Sequence, residues 1–404
     1  MNKLLNKIFL SLLFVGLSVT MWSCDQDEPD NSPFVGEDST VLIYAVATNS
    51  LAYNLKEDKE EILLAAPDIN LSKNNVLICQ TVYEYDSEGN MTGEGVTSLI
   101  QLVKKEGKYS WREIKKYSNE TGALNPRRIS DVIDFVVNTY RTDKYGLIFW
   151  SHSTASQPYE YTKSGAVSNT PMLYSFGEDK TTKEEEYKLL NVEDLASAIP
   201  DHVFDFIWFD SCYMSNIETI YQFRGKCNTF VGYPTEVLEY GLPYDLVMPH
   251  LVGKHPDLIT GADKFFKFYS ENPFISLRTA TIAVTDMSAL EQLADFCRNI
   301  YNGKNTLTSV SGLHRYSRGI DAFYDLGDYT KAMARLNGID LTDGEWDEIL
   351  SNCVLYKGAT PTDFVSTIDQ EKYSGISTHL YNFNNLTSKE LYYQSLDWFK
   401  SVFN

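Results

Sequence analysis

The chain has 404 residues, 43% of them hydrophobic and 22% charged. This is globular composition; it excludes a disordered or fibrous protein and leaves enough chain for one large domain, or two to three small ones, with a core independent of disulfides. The 35 Lys and Arg against 55 Asp and Glu give a net charge of −20. That field repels phosphate backbones, so no nucleic acid is expected as a partner, and a basic peptide is favoured.

Residues 1–23 have a positive start at Lys3 and Lys7 and an apolar stretch from Ile8 to Val19, the layout of a signal peptide. Cys24 follows and resembles the lipidation cysteine of bacterial lipoproteins. The acidic run Asp25-Gln26-Asp27-Glu28 after it resembles their surface-export signal. An ordinary cleaved signal with a spare cysteine is the alternative. The expectation is an exported chain held on a bacterial membrane, the outer membrane with the protein facing outward, by lipid on Cys24. No later run approaches the roughly 20 apolar residues of a membrane span, so the lipid would be the only tether. Residues 24–38 read as an acidic flexible stalk, and 39–404 as the folded domain.

Thr40–Ala47 is a continuous apolar run and predicts a buried strand. A helix is expected from Lys56 to Ala66 and a second strand over Asn75–Tyr83. The turn residues Ser87-Glu88-Gly89-Asn90 lead to a hairpin partner at Thr97–Val103. Pro126 opens a helix to about Thr139, with Ile129, Val132, Ile133, Val136 and Val137 on one face. Further strands are predicted at Tyr145–Trp150, Val203–Phe209, Asn228–Tyr233 and Thr279–Val284. They alternate with helices at Tyr213–Phe223, Asp257–Glu271 and Ser288–Tyr301. Such alternation implies βαβ units and a mainly parallel sheet flanked by helices, an α/β fold. Residues 153–188 break the pattern, being rich in Ser, Thr, Lys and Glu, and are expected to form a long exposed linker.

Two of these strands run into reactive residues. Gly146-Leu147-Ile148-Phe149-Trp150 leads to Ser151-His152, and Phe206-Ile207-Trp208-Phe209 leads to Asp210-Ser211-Cys212. Ligand sites in open α/β sheets lie beyond the carboxyl ends of strands, so neighbouring strands would bring His152 and Cys212 together. A thiol needs a base because the thiolate is the nucleophile, and an imidazole can then protonate a leaving amine. His202 sits at the wrong end of its strand. His250, His255 and His314 fall in loop-like stretches, and His379 follows a short strand with no acidic or thiol neighbour in sequence. All five are read as structural. Besides Cys24 and Cys212 the chain has Cys79, Cys227, Cys297 and Cys353, with no CxxC pair, which argues against a zinc ribbon or thioredoxin-type site. No GxSxG, HExxH, GxxxxGK[ST] or GxGxxG motif suggests another enzyme class.

The blocks Leu147-Ile148-Phe149-Trp150-Ser151-His152 and Phe209-Asp210-Ser211-Cys212-Tyr213-Met214 closely resemble the catalytic blocks of clostripain-like cysteine peptidases, relatives of gingipains, legumains and caspases. Thr40-Val41-Leu42-Ile43-Tyr44, Gly241-Leu242-Pro243-Tyr244 and Tyr324-Asp325-Leu326-Gly327-Asp328-Tyr329 extend the resemblance over residues 40–385. It implies a caspase-like three-layer sandwich and a peptidase that cleaves after Arg or Lys. His152 would be the general base and Cys212 the nucleophile. Asp210 matches the acid that lines the P1 pocket, where an ionised carboxylate selects a cation by a charge-assisted pair; its alternative role is an acid at the N-terminus of the following helix.

The oxyanion would be held by the backbone N–H groups of Cys212 and Ser153. Glycine usually follows the histidine in this family, and Ser153 replaces it here. If that position needs a positive φ, Ser costs about 1–2 kcal/mol. This departure motivates the second reading, a weakened or inactive homologue that binds peptides or proteins at the cell surface. Some relatives are cut between His and Cys, so Lys163, Lys180, Lys183 and Lys188 are candidate self-cleavage sites. Some relatives also need calcium, for which Glu236, Asp325 and Asp328 are the acids at hand, but no calcium-binding motif is present.

Overall fold

The computed structural model describes residues 36–155, 176–184, 188–303, 305–316, 323–363 and 367–403. Residues 1–35, and with them the signal sequence and Cys24, lie outside the described residues, as does Lys163. The strands are β1 (Ser39–Val46), β2 (Asn74–Tyr85), β3 (Met91–Lys105), β4 (Lys108–Tyr117), β5 (Lys144–Trp150), β6 (Phe204–Asp210), β7 (Cys227–Gly232), β8 (Thr281–Asp286), β9 (Phe323–Asp325), β10 (Val354–Ala359) and β11 (Ser377–His379). Nine of them form one sheet in the order β10-β8-β7-β6-β5-β1-β2-β3-β4, and β9 pairs with β11 separately. The central strands β2, β1, β5, β6 and β7 are parallel to their neighbours in that group. Antiparallel strands extend both edges.

Alternation along the central strands builds two cores. In β1, Leu42, Tyr44 and Val46 face one core, while Val41, Ile43 and Ala45 face the other. The first core takes the helix Pro126–Thr139 through Ile129, Val132, Ile133 and Val136, together with the helices Leu290–Tyr301, Leu326–Leu336 and Asp397–Phe403. The second takes the helices Asn54–Ala65, Tyr244–Leu251 and Leu258–Ser270. Helices on both faces of a mainly parallel sheet make the three-layer α/β sandwich. Among the described residues no helix is long and apolar enough to cross a membrane.

Several expectations are revised. The strand β4 was not anticipated: KYSWREIKKY is highly charged, as suits an edge strand. The helix expected at Tyr213–Phe223 starts only at Ile217, where the Asn216 side chain accepts from Thr219 N. The stalk expected up to residue 38 is already tied down at its end, since Gly36 N donates to Asn75 Oδ1 and Asp38 N to Lys73 O. His250 lies in the helix Tyr244–Leu251, not a loop.

The described parts of 153–188 are not an exposed linker. Ser153, Ala155, Phe176 and Asp179 are buried, and Ser153 and Leu190 each form a bridge with Phe176. The Phe176 ring packs edge-on against Phe149 at 5.2 Å and Phe209 at 5.8 Å. Polar composition hid one aromatic anchor whose burial contributes a few kcal/mol. Phe176→Ala is expected to lower the unfolding free energy by about 3–5 kcal/mol in denaturant titration; a change below about 1 kcal/mol would mean that this segment does not belong to the core.

Candidate active site

The strands β5 and β6 are hydrogen-bonded neighbours, with Gly146 opposite Phe206 and Trp150 opposite Asp210. Gly146 is required for their contact, because a Cβ there would sit 2.2 Å from the Phe206 ring. His152 and Cys212 each follow two residues beyond the last pair, at the carboxyl ends of both strands. The Ser153 hydroxyl donates to the Cys212 carbonyl and ties the two loops together. Tyr213 has φ 63, a costly left-handed conformation for an aromatic residue. It turns the chain back, so that Tyr213 N donates to Thr235 O and Ser215 N to Tyr233 O. Ser153 itself is not in the left-handed region; Ala155 is, at φ 58. The steric cost considered for Ser153 therefore does not arise.

The His152 loop is fastened to the end of β1. Ser151 Oγ donates to Val46 O at 2.9 Å, and Asn49 Nδ2 reaches Val46 O and Glu178 O, each at 2.9 Å. Gly177 N donates to the His152 carbonyl at 2.7 Å. His152 Nε2 lies 2.8 Å from Ser50 Oγ. Burial lowers the imidazole pKa, with Glu178 opposing and Lys180 reinforcing the shift. The Cys212 sulfur accepts from Val237 N at 3.4 Å. Among the described residues neither the imidazole nor the thiol is hydrogen-bonded to the other. Burial pushes the thiol up to about 11; the Val237 amide opposes this, and Glu236 and Asp210 add to it. The resting pair is therefore neutral imidazole and neutral thiol.

Asp210 follows Phe206 and Trp208 in the strand's alternation, so it shares their face, toward the helices Asn54–Ala65 and Tyr244–Leu251. It does not cap the following helix. Its Oδ2 accepts from Leu242 N at 3.3 Å and Tyr244 Oη at 3.0 Å. Gly241, at φ 58, lets the backbone pass close by, since a Cβ would lie 3.0 Å from that carboxylate. Burial raises the Asp210 pKa to about 6 against those two hydrogen bonds. Sequence reasoning missed Ser50, Asp58, Glu61 and the Val237 amide. It noted Gly241–Tyr244 only as a matching block, and nothing local marks Asp58 or Glu61 among the charges of their helix.

Lys180 and Lys183 are exposed and paired with Glu178 and Glu94, while Lys188 is half-buried and its carbonyl accepts from Asp179 N. The three acids considered for calcium do not fit it. Asp325 caps the helix Leu326–Leu336 and also takes Tyr316 Oη and the Ser374 N–H and hydroxyl. Asp328 accepts from His314 N, and Glu236 from Tyr213 Oη. Among the described residues no group of three or more His, Cys, Asp or Glu could hold a metal ion. His379 does have an acidic neighbour: Nε2 is 3.1 Å from Glu390 Oε2, and the ring stacks on Tyr393 at 3.7 Å. Both partners come from the next helix, Ser388–Ser395, and not from the residues adjoining His379. A cavity of about 430 Å³ lies by the opposite ends of β6 and β7, lined by Asp201, His202, Arg224, Lys226 and Asp397. Arg224 is paired there with Asp397 and Lys226 with Asp201, and the cavity lies at the ends of these strands opposite to His152 and Cys212.

Cys212 is half-buried, whereas Cys79, Cys227, Cys297 and Cys353 are free and buried. Alkylation mapped by peptide mass should therefore favour Cys212 among these five. With its pKa near 11, the thiol is protonated below that value, so the rate should still be climbing about tenfold per pH unit between pH 7 and 9. A rate that levels off near pH 7 would contradict the neutral resting pair.

A model of the clostripain family matches residues 43–395. Clostripain from Hathewaya histolytica is 24% identical over 229 residues, 52% of this chain and 42% of that protein, so the chain spans less than half the length of this relative. The crystal structure of an inactive zymogen C11 protease from Parabacteroides distasonis is 26% identical, with a TM-score of 0.72 over 92% of this chain and 99% of the other. A secreted C11 cysteine protease from Bacteroides thetaiotaomicron, solved with an irreversible peptide inhibitor, shares the fold at 24% identity, with a TM-score of 0.74 over 90% of this chain and 98% of the other. The family match extends through both strands that end at His152 and Cys212 and on to the carboxyl-terminal helices, and the chain belongs to the clostripain family of cysteine peptidases.

Proposed function

We propose that the protein is a cysteine endopeptidase that hydrolyses peptide bonds after Arg or Lys, exported and held on a bacterial membrane by lipid on Cys24. The observation that carries the catalytic part is the β5–β6 pairing, in which His152 and Cys212 both follow the carboxyl ends of adjacent parallel strands. In this reading the imidazole takes the Cys212 proton as sulfur bonds to the substrate carbonyl carbon. The carbonyl oxygen becomes an oxyanion facing the N–H groups of Ser153 and Cys212. The imidazolium then protonates the amine as the C–N bond breaks. A water molecule, deprotonated by the same ring, cleaves the thioester and restores the thiol.

Ser50 gives this chemistry a direction. If Ser50 Oγ accepts from Nε2–H at their 2.8 Å separation, the tautomer leaves Nδ1 to act as the base. Ser50→Ala is expected to lower kcat about 5–10-fold with little change in KM, the worth of one hydrogen bond of roughly 1 kcal/mol. An unchanged kcat would remove Ser50 from the mechanism.

Asp210 is the proposed selector of the basic P1 side chain, and the net charge of −20 favours approach of such substrates. Fluorogenic peptides with Arg, Lys, Ala or Asp at P1 test this, on the parent and on Cys212→Ala, with and without calcium. Turnover should be confined to Arg and Lys and absent in the variant. On the same samples, cleavage within 153–188, where Lys163, Lys180, Lys183 and Lys188 are the candidate sites, should appear only with Cys212 intact. No turnover from the parent would favour the second reading, a peptide-binding homologue.

A further inference from the structure

The face of the sheet that carries Trp150 and Asp210 buries more acid than it neutralises. Asp58, on the helix Asn54–Ala65, is 4% exposed. It has a hydrogen bond to the Trp150 side chain, yet its Oδ2 has no hydrogen-bond partner. Glu61, half-buried on the same helix, accepts from Tyr244 N at 2.8 Å. The charged groups acting on Asp58 are Asp210, Glu61 and Glu57, and those on Glu61 are Asp245, Asp210 and Glu57; all are acidic. The Tyr244 and Tyr269 phenols face the group from the two helices packed beside it. Burial first, then these neighbours, pushes Asp58 up to about 9 and Glu61 to about 7. A buried acid cluster with an unfilled acceptor oxygen is stable as a neutral group, or as a charged one only when a cation enters.

The hydrogen bonds of these acids are unevenly shared between their oxygens. Both bonds to Asp210 fall on Oδ2, so Oδ1 is the oxygen left to a ligand. A guanidinium presents several donors in a rigid fork and requires more than one acceptor. Asp58 is hydrogen-bonded to Trp150, the residue that pairs with Asp210 across β5 and β6, and its unpartnered Oδ2 is the candidate for the second oxygen.

We propose that Asp58 is a second specificity-determining residue, sharing the cationic P1 side chain with Asp210. This rests on the reading of Asp210 as the selector. Asp58 is protonated in the resting enzyme, and binding of the cation displaces that proton to solvent as the O–H bond breaks and the ion pair forms. The sign follows: Asp58 is neutral below about 9, so preference for a cation over a neutral isostere strengthens as pH rises toward that value. Glu61 and Asp210 contribute only to the lower part of the range.

The test compares kcat/KM for otherwise identical peptides with Arg or citrulline at P1, from pH 6 to 9, on the full chain. Asp58→Asn is expected to reduce the Arg-to-citrulline ratio on the order of 10-fold at pH 8 and to flatten its rise above pH 7.5. A ratio within twofold of the parent, rising with pH as before, overturns the proposal. Asp210→Asn run in parallel separates the two readings. If it collapses the ratio while Asp58→Asn does not, Asp58 alone is dismissed; if it leaves the ratio unchanged, the basic-P1 reading fails and Asp58 with it. Should Asp58→Asn not fold, calorimetry of a blocked Arg peptide binding to Cys212→Ala, in two buffers of different protonation enthalpy at pH 7.5, decides the matter. Release approaching one proton per peptide supports the proposal, and no release overturns it.

Discussion

The parallel pairing of β5 with β6 is the constraint on which the candidate site depends. Two parallel strands end at the same edge, so residues two positions beyond the last pair emerge side by side without any dedicated contact between them. The pairing rests on one close approach, Gly146 under the Phe206 ring, and on the stacked aromatics Phe149 and Phe209 at 5.1 Å. Because side chains alternate, the same register sends Trp150 and Asp210 to one face and Phe149 and Phe209 to the other. The aromatic side is a rigid support. The other face is also a hydrophobic core, but it buries the Asp210 carboxylate, the proposed selector of the substrate side chain.

Burial, more than any ion pair, sets the charge state at this edge. It raises Cys212 and Asp210 and lowers His152, so every group is driven toward its neutral form. A neutral thiol beside a neutral imidazole is a quiet arrangement, because the thiol is a weak nucleophile until its proton moves. In the proposed mechanism, moving the proton from sulfur to ring is favourable once the reacting carbonyl is in place and the developing oxyanion has its backbone donors. The acids Asp58, Glu61 and Asp210 follow the same logic, held near neutrality by burial and by one another.

The sequence made the strands legible because buried parallel strands are continuous apolar runs, and TVLIYAVA, YGLIFW and VFDFIWF have few other readings. Their carboxyl ends lead directly to His152 and Cys212 in the sequence. What stayed hidden has physical reasons. Phe176 is a lone aromatic in a polar stretch, and its burial follows from packing edge-on against the stacked rings of Phe149 and Phe209. The strand β4 carries edge-strand charges that mask its alternation. Asp58 and Glu61 sit among other acids on a helix, and only the packing of that helix against Trp150 and Tyr244 distinguishes them from a solvated face.

The carboxyl-terminal third of the chain, hardly legible in advance, acts on the Cys212 loop through backbone and hydroxyl contacts. Ser377 N donates to Ser215 O and Ser215 Oγ to Gly375 O, three residues past Cys212. Glu218 Oε1 accepts from Thr378 Oγ1, His379 N and Tyr381 Oη, which fixes the start of the following helix. The strap is held in turn by Asp325, whose Oδ2 takes the Ser374 N–H and hydroxyl. A residue held at φ 63 beside Cys212 stores strain that local sequence cannot maintain. The surrounding bonds must over-determine it, and 374–381 supplies them from more than 150 residues away. On this argument Asp325, though it touches neither His152 nor Cys212, belongs to the machinery that keeps the proposed nucleophile in place.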